Sequence, residues 1–321
     1  MKLLEAVPNV SEGKDTSVLD ALSHVLRQSG VQVLGRDSNP DANRTVFTLA
    51  GEPESVTKAL FEFIREATHQ IDMRRHRGAH PRLGAVDVCP LVPLQNISLG
   101  ETAFLAKNLG RRVGAELGIP VYLYEAAAAM TERKNLAFLR KGEYESLPQK
   151  LKELPPDFGP AEFSPSVQKT GACVMGARDF LIAFNVSLNT QNISAAKHIA
   201  SVLREKNGGL KALKAIGWYM ESYGRAQVSF NLTDYKTTGL AQVFEACKKE
   251  AAGLGICATG GELIGLAPAQ ALLNAGKFYA PDETDTRRLI DTAAKHLNLS
   301  DVKPFDPQEQ ILEIKAGLAV Y

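Results

Sequence analysis

The densest run of chemically competent side chains lies at 72–93, DMRRHRGAHPRLGAVDVCPLVP. It sets His76 and His80 four residues apart, with Arg74, Arg75, Arg77 and Arg82 around them. On a helix, that spacing would put both imidazoles on one face, as in a metal pair. Gly78 between them and Pro81 after them oppose a regular helix, and no Glu follows His76 as a zinc-protease helix requires. No metal site is therefore expected. The better reading is a loop that delivers His80 and Arg82 to the edge of a strand starting at Leu83. An imidazole with a pKa near about 6.5 can take and return a proton at neutral pH. Arg82 can clamp a carboxylate with two parallel donors. A lone surface histidine is commonly an innocent polar residue. The density of Gly, Pro, Arg and His at a strand entrance favours function here.

A second segment, DSNPDANR at 37–44, reads as a loop between strands. It offers Asp37, Asp41 and Arg44 to orient a histidine or to hold an amidine, although Ser-Asn-Pro-Asp equally suits a plain turn. Two strand-like runs add a different chemistry. In 227–232, Gln227, Ser229 and Asn231 alternate with Val228, Phe230 and Leu232. In 184–189, Asn185, Ser187 and Asn189 alternate with Phe184, Val186 and Leu188. Amides and hydroxyls both donate and accept, which suits a polar heterocycle. The plain alternative is a solvated sheet face, yet these six positions carry no charge.

The elements that must position these residues can be read from periodicity. Residues 2–7, 31–36, 44–50 and 83–92 read as strands, and 16–29 and 53–70 as amphipathic helices. The order is β-α-β-β-α-β, the split βαβ or ferredoxin-like plan. A helix at about 99–117 and a strand at 119–124 extend the first sheet. The second half repeats the order: strand 179–188, helix 191–206, strands 212–219 and 225–233, helix 239–253, strand 257–264. Two helical segments and a tail with Pro304 and Pro307 follow. Between the halves, ELPPDFGPAEFSPSVQ at 153–168 holds Pro155, Pro156, Pro160 and Pro165, which forbid a continuous helix. It reads either as an inter-domain linker or as an ordered strap over a ligand, since Phe158 and Phe163 are costly to leave in water.

Composition bounds the rest. A length of 321 residues favours two domains. At 45% hydrophobic and 23% charged, the chain is globular rather than disordered. Thirty-seven basic against 36 acidic side chains leave no polyanion footprint, so no nucleic-acid partner is expected. No apolar run reaches the roughly 18 residues of a membrane span, and MKLLEAVPNVSEG is too short in apolar length for a signal peptide. Cysteines at 89, 173, 247 and 257 are scattered, which predicts buried free thiols in a reducing, cytoplasmic compartment.

These segments resemble the formiminotransferase domain. The resemblance is carried by VPNVSEG (7–13), DSNPDANRTV (37–46), HRGAHPRLGAVDVCPLVP (76–93) and GIPVYLYE (118–125). It continues through GAR with LIAFNVSL (176–188), KAIGWY (214–219), AQVSFNLTDY (226–235) and GELIGLAP (261–268). The motifs fall in both halves, in order. The resemblance implies two ferredoxin-like βαββαβ subdomains whose sheets face each other across a ligand tunnel, in a homodimer. The subdomains would span 1–177, including the strap, and 178–321. It implies transfer of a formimidoyl group from N-formimidoyl-L-glutamate to tetrahydrofolate, giving 5-formimidoyltetrahydrofolate and L-glutamate, in histidine degradation. Tetrahydrofolate, with or without a polyglutamate tail, is then a co-substrate. Neither a metal nor a membrane is involved.

The family's catalytic histidine stands in a His-Pro-Arg motif, here His80. Asp37 would stabilise the imidazolium or the amidinium, with Arg82 as its neighbour in the catalytic set. The family's folate strap corresponds to Gly159, Pro160, Phe163, Pro165, Ser166 and Gln168. Arg178 or Arg82 would grip carboxylates of glutamate or folate. Asn185, Gln227 and Asn231 would read the pterin or the amidine, and Asn9, Asn43 and Arg44 would contact the donor. Three positions depart from the family pattern: Ala79 stands where Glu is common, Leu83 where Met is common, and Gly261 where a small hydroxyl residue occurs. Some members carry a fused cyclodeaminase domain, which this length leaves no room for. Three alternatives stay open: a formyltransferase using N-formylglutamate and the same folate, a non-catalytic folate-binding protein, and an RNA-binding ferredoxin-like protein. The last would need aromatic side chains on its strands and a basic surface.

Overall fold

Val56, Leu60, Phe63, Ile64 and Ala67 recur at helical spacing, and each is fully buried on the helix Pro53–Gln70. The computed structural model describes residues 1–318 and Val320, and divides the chain into units Met1–Asp179 and Phe180–Tyr321. In the first unit the strands are β1 (Leu3–Ala6), β2 (Asn9–Val10), β3 (Gln32–Asn39), β4 (Arg44–Gly51), β5 (Val86–Gln95), β6 (Val121–Glu125) and β7 (Cys173–Ala177). The main helices are α1 (Thr16–Gln28), α2 (Pro53–Gln70) and α3 (Leu99–Leu117). Local chemistry fixes their ends. Asp15 accepts the Ser17 and Val18 amides at the start of α1. Ser98 and Glu101 form a capping box on α3, which Gly118 ends in the left-handed region. The apolar stripes of all three helices feed one core with Leu4, Phe47 and Leu49 of the sheet.

β4 and β5 flank β1 antiparallel, and β3 pairs with the outer side of β4. That is the split βαβ arrangement expected from the sequence. The sheet is longer than the pattern suggested, because β7 lies parallel between β5 and β6. The run at 119–124 does extend the sheet, but through this unanticipated strand. Two other expectations are corrected. The strand expected from Leu83 starts at Val86, so Leu83 belongs to the approach loop. β3 continues through Asn39, so Asp37 and Ser38 are paired with Val46 and Thr45 rather than lying in a loop.

Residues 126–152, unassigned from sequence, form short helices including α4 (Leu136–Arg140) and α5 (Leu147–Glu153). With α6 (Pro165–Thr170), they bury Leu139, Leu147, Leu151 and Val167 in a second cluster with Val88, Tyr122, Tyr124 and Val174. The proline-rich stretch is therefore not an inter-domain linker. Phe158 bridges to Val121 of β6, and the chain then re-enters the same sheet as β7.

The second unit holds β8 (Ile182–Leu188), α7 (Ile193–Leu203), β9 (Leu213–Met220), β10 (Arg225–Leu232), α8 (Leu240–Gly253) and β11 (Ala258–Ile264). Its sheet runs β11-β8-β10-β9, all antiparallel, a second ferredoxin-like order. Phe184, Val186, Val228 and Phe230 face a core shared with α7, α8, α9 (Ala269–Tyr279) and α10 (Thr286–His296). Two short helices, α11 (Pro307–Gln310) and α12 (Leu312–Lys315), follow. Cys89, Cys173 and Cys247 are buried thiols, as expected, whereas Cys257 is exposed. Among the described residues, no helix is long and apolar enough to cross a membrane.

Candidate active site

Three loops meet where β2 ends and β4 and β5 begin. Asn43, in the left-handed region at φ 46°, joins them. Its Oδ1 accepts the Gly13 amide at 3.0 Å, and its Nδ2 donates to the Arg77 carbonyl at 2.8 Å. The approach is too close for a side chain at Gly78, whose Cβ would lie 2.3 Å from the Ala42 carbonyl oxygen. Asn43 thus holds loops together. His76 belongs to the same scaffold. Its Nε2 donates to the Asn43 carbonyl at 2.9 Å, and its Nδ1 accepts from Arg82 Nε at 3.3 Å.

Arg82 is buried, and its fork is committed. Its Nη1 and Nη2 reach Glu145 at 2.7 and 2.6 Å, and Nη1 also reaches Glu143 at 3.0 Å. The carboxylates it clamps belong to this chain.

His80 is half-buried, with Nδ1 2.7 Å from the Pro81 carbonyl oxygen. A carbonyl can only accept, so Nδ1 carries the proton and the lone pair of the neutral ring is on Nε2. Burial, then the charges of Arg44 and Arg140, push the imidazole pKa well below 6.5, against the opposing pull of Asp87. The ring is held neutral at pH 7, rather than poised near it.

The groups behind this field form a buried triad. Arg44 Nη1 donates to Asp87 Oδ2 at 2.6 Å, and Arg140 Nε donates to Oδ1 at 3.2 Å while its Nη2 donates to Oδ2. Asp87 Oδ1 also accepts the Leu83 amide at 2.9 Å, which ties the carboxylate to the loop carrying His80. Burial alone would raise the Asp87 pKa, but the two guanidiniums outweigh it and hold it at about 2. Burial likewise drops Arg44 to about 10. The backbone explains how an acid comes to point inward. Asn9 and Val10, adjacent on β2, pair with Val88 and Val86, so Asp87 is the extra residue of a bulge. Asn9 Oδ1 accepts from Arg44 Nε at 3.1 Å.

Sequence reasoning missed Asp87 and Arg140 as site residues. An acid inside the apolar run VDVCPLV was the available signal for the first. Asp37 is half-buried on β3. Arg178, half-buried, follows β7 and acts electrostatically on Tyr124, whose hydroxyl burial pushes up to about 12.

The strap is ordered against β6. Val121 N donates to Phe158 O at 2.8 Å, and Asp157 Oδ2 accepts from Leu123 N and Arg133 Nη1 at 2.8 and 2.6 Å. Gly159 sits at φ 82°, where a Cβ would come within 2.2 Å of the Ile119 carbonyl oxygen. Pro160 follows, and Phe163 packs near Tyr144, ring centroids 6.1 Å apart. Ser164 caps α6, with Pro165 in its first turn and Ser166 exposed. The Gln168 carbonyl accepts from Tyr144 Oη at 2.5 Å.

In the second unit, β8 and β10 bring Ser187 opposite Gln227 and Asn185 opposite Ser229. Asn185, Ser187 and Gln227 are buried, so this is not a solvated face, although Asn231 is exposed. Gln227 Nε2 donates to Ser187 Oγ at 3.0 Å, while its Oε1 is buried without a partner among the described residues. Glu262 on β11 joins them, a residue not singled out from sequence. It takes Tyr223 Oη at 2.9 Å and Lys303 Nζ at 3.1 Å, with the Asn185 and Gln227 amides 3.5 Å away. Among the described residues, no group of three or more His, Cys, Asp or Glu side chains could hold a metal ion.

Comparison with known proteins identifies the family. Residues 3–178 match the formiminotransferase domain, N-terminal subdomain, and residues 183–316 match the formiminotransferase domain. The chain is 42% identical over 281 residues to a glutamate formimidoyltransferase of Streptococcus pyogenes serotype M1, covering 87% of this chain and 93% of that protein. It is 43% identical over 287 residues to the protein of that name from Thermoplasma acidophilum, covering 87% and 92%. It is also 44% identical over 325 residues to the formimidoyltransferase-cyclodeaminase of Rattus norvegicus, covering 97% of this chain and 59% of that protein. The chain thus spans about three fifths of the length of the two-activity relatives. With both of its units matched in order, the chain belongs to the formiminotransferase family.

Proposed function

We propose that this chain transfers the formimidoyl group of N-formimidoyl-L-glutamate to tetrahydrofolate, as a step of histidine degradation. The observation that carries the reading is His80. It is a neutral imidazole with Nδ1 tied to the Pro81 carbonyl, set in the field of Arg44, Asp87 and Arg140. The names of the relatives from Streptococcus pyogenes and Thermoplasma acidophilum support it.

The reaction exchanges one amine for another on an amidine carbon. N5 of the reduced pterin attacks that carbon, and the tetrahedral adduct expels the glutamate nitrogen. One proton must leave the attacking nitrogen, and one must reach the departing nitrogen. The Nε2 lone pair of His80 takes the first and returns it as the second, so the ring ends as it began. A neutral resting imidazole suits the first half, and the imidazolium then formed is a strong acid for the second. Acid–base catalysis of this kind is worth about 10²–10⁴-fold. The remainder comes from holding two substrates together.

Asp37 stabilises the cationic amidine and Arg44 serves the donor side, with Asn9 and Asn43 acting by positioning, since their amides are committed to the Val7 carbonyl and Arg44 and to the Gly13 amide and the Arg77 carbonyl. Gly159, Pro160, Phe163, Pro165, Ser166 and Gln168 of the strap, with Arg178, are the folate candidates of the first unit, and Asn185, Gln227 and Asn231 are those of the second. Arg82 acts by positioning, since Glu143 and Glu145 occupy its fork. The working form is a cytoplasmic homodimer that needs no metal. The test is ultraviolet detection of methenyl-folate after acid treatment of the product, with N-formimidoyl- and N-formylglutamate as parallel donors. Product from the formimidoyl donor in wild type, lost in a folded His80→Ala variant that still binds folate, is expected. Near wild-type transfer by that variant would remove His80 from the mechanism.

A further inference from the structure

Arg44, Arg82, Arg133 and Arg140 all keep their guanidiniums largely out of water, with side-chain exposures of 7–14%. Their partners differ in number. Arg82 meets two carboxylates, Glu143 and Glu145. Arg133 meets one, Asp157. Arg44 and Arg140 share one, Asp87. The Arg44–Asp87–Arg140 triad therefore carries one positive charge in excess.

Asp87 cannot absorb that excess. Its Oδ1 already accepts from Leu83 N and Arg140 Nε, and its Oδ2 from Arg44 Nη1 and Arg140 Nη2. An excess buried charge is costly unless an anion joins it. Guanidiniums match carboxylates in shape as well as charge, through parallel N–H donors. The arrangement is also rigid. Asp87 is fixed by its bulge on β5, Arg44 by the Asn9 amide oxygen, and Arg140 by its bidentate grip. A preorganised cation pair of this kind loses little entropy when an anion docks.

The donor amino acid brings two carboxylates, and chemistry separates them. Its α-carboxylate hangs from the carbon that bears the departing nitrogen. Its γ-carboxylate lies beyond two further methylenes. His80 must reach the departing nitrogen to return the proton. The cations close enough to act on the His80 ring are Arg44 and Arg140. The pair is also tied to the His80 loop by geometry, since Asp87, which pins both arginines, accepts the Leu83 amide three residues after His80, so the α-carboxylate would arrive beside it.

We propose that Arg140 and Arg44, pinned side by side by Asp87, form the receptor for the α-carboxylate of the donor amino acid. This rests on the transferase reading above, but not on the acyl group, since formimidoyl and formyl donors carry the same carboxylates. The receptor also couples binding to chemistry. A docked carboxylate cancels the field that disfavours the imidazolium, so donor binding strengthens the base beside it.

The experiment compares three donors in the full chain with tetrahydrofolate saturating: N-formimidoyl-L-glutamate, N-formimidoyl-4-aminobutyrate without the α-carboxylate, and N-formimidoyl-2-aminobutyrate without the γ-carboxylate. In wild type, kcat/KM should fall about 10–100-fold on loss of the α-carboxylate, the range of a charge-assisted hydrogen-bonded contact. In Arg140→Gln, glutamate and 4-aminobutyrate donors should converge to within about threefold, mainly through KM for the glutamate donor, with KM for tetrahydrofolate unchanged. Arg140→Lys, which keeps charge without the fork, should restore part of the preference. A purely structural pin would lower kcat with all donors in proportion and leave the preference intact, which overturns the proposal. If Arg140→Gln does not fold, the wild-type comparison decides alone. Equal use of the 4-aminobutyrate and glutamate donors overturns the receptor and leaves the transferase reading standing. A chain that uses no formimidoyl or formyl donor overturns both.

Discussion

Arg140 Nε lies 3.2 Å from Asp87 Oδ1 while Arg140 Nη2 holds Asp87 Oδ2, a bidentate pair between the end of α4 and the bulge of β5. Asp87 is fully buried, and it is the common anion of two arginines. Asp87→Asn would leave both guanidiniums uncompensated. The expected loss of stability is about 3–5 kcal/mol, the range for breaking a buried ion pair from one side. Urea unfolding of the variant checks it, and a loss below about 1 kcal/mol would deny the triad any structural weight.

The same carboxylate sets an acid limit. Its pKa falls from the usual 3.8 to about 2 on folding. A depressed acid stabilises the fold above its unfolded pKa, and that contribution is lost as pH falls through the folded pKa. The window is therefore about pH 4 down to 2, worth on the order of 2 kcal/mol. Thermal melts of wild type and Asp87→Asn should converge across that window, and curves that stay parallel would contradict it.

For His80 the shift has the same sign. Burial and two nearby cations lower its pKa, so the base form persists below pH 6.5. Nitrogen-detected NMR should find the ring neutral at pH 6.5, with the proton on Nδ1. A midpoint at or above 6.5 would contradict the effect of burial and the two cations, and an Nε2–H tautomer would contradict the Pro81 hydrogen bond as the orienting contact.

Gly159 and Gly30 share a positive φ, 82° and 72°, but not their surroundings. A Cβ at Gly159 would strike the Ile119 carbonyl at 2.2 Å, whereas nothing lies within 4 Å at Gly30. Gly159→Ala should lift the strap from β6, with limited proteolysis near 153–165 increasing sharply. Gly30→Ala should cost only about 1 kcal/mol. Equal protease resistance of the two variants would mean the strap docks by other contacts.

Gln227 carries a buried Oε1 without a partner among the described residues, while its Nε2 lies 3.5 Å from Glu262. Gln227→Leu removes that oxygen but also the Nε2 donor to the buried Ser187 Oγ, so stability should change by no more than about 1 kcal/mol. If the amide reads folate, affinity should fall about tenfold, or 1.4 kcal/mol. Fluorescence titration with a folate analogue checks it, and undiminished affinity removes Gln227 from the folate set.

The elements with strong periodicity were legible before the structure. The helices at 53–70 and 99–117 and both split βαβ orders follow from apolar spacing alone. β7 was not, because CVMGA is short, buried on both sides and without alternation. His80 was legible as a loop histidine between Gly and Pro. Asp87 was not, since a bulge breaks the two-residue period that would reveal which way it points. Arg140 sits in a stretch with no period at all, and only tertiary packing brings it to Asp87. Arg82 shows the converse: a promising arginine by sequence, whose partners, Glu143 and Glu145, lie about sixty residues away.

The position of β7 orders events in time. It lies between β5 and β6, yet it is made after both. β6 therefore has no seat in the sheet until Cys173–Ala177 exists to pair with it. The loop after His80 waits as well, because Leu83 and Ala85 exchange backbone hydrogen bonds with Thr170 and Ala172. During synthesis, the loop that carries His80 stays without these bonds until the far end of its own unit has emerged, so a nascent chain truncated before residue 170 carries every residue of the Arg44–Asp87–Arg140 triad and still lacks the clasp on the loop beside it.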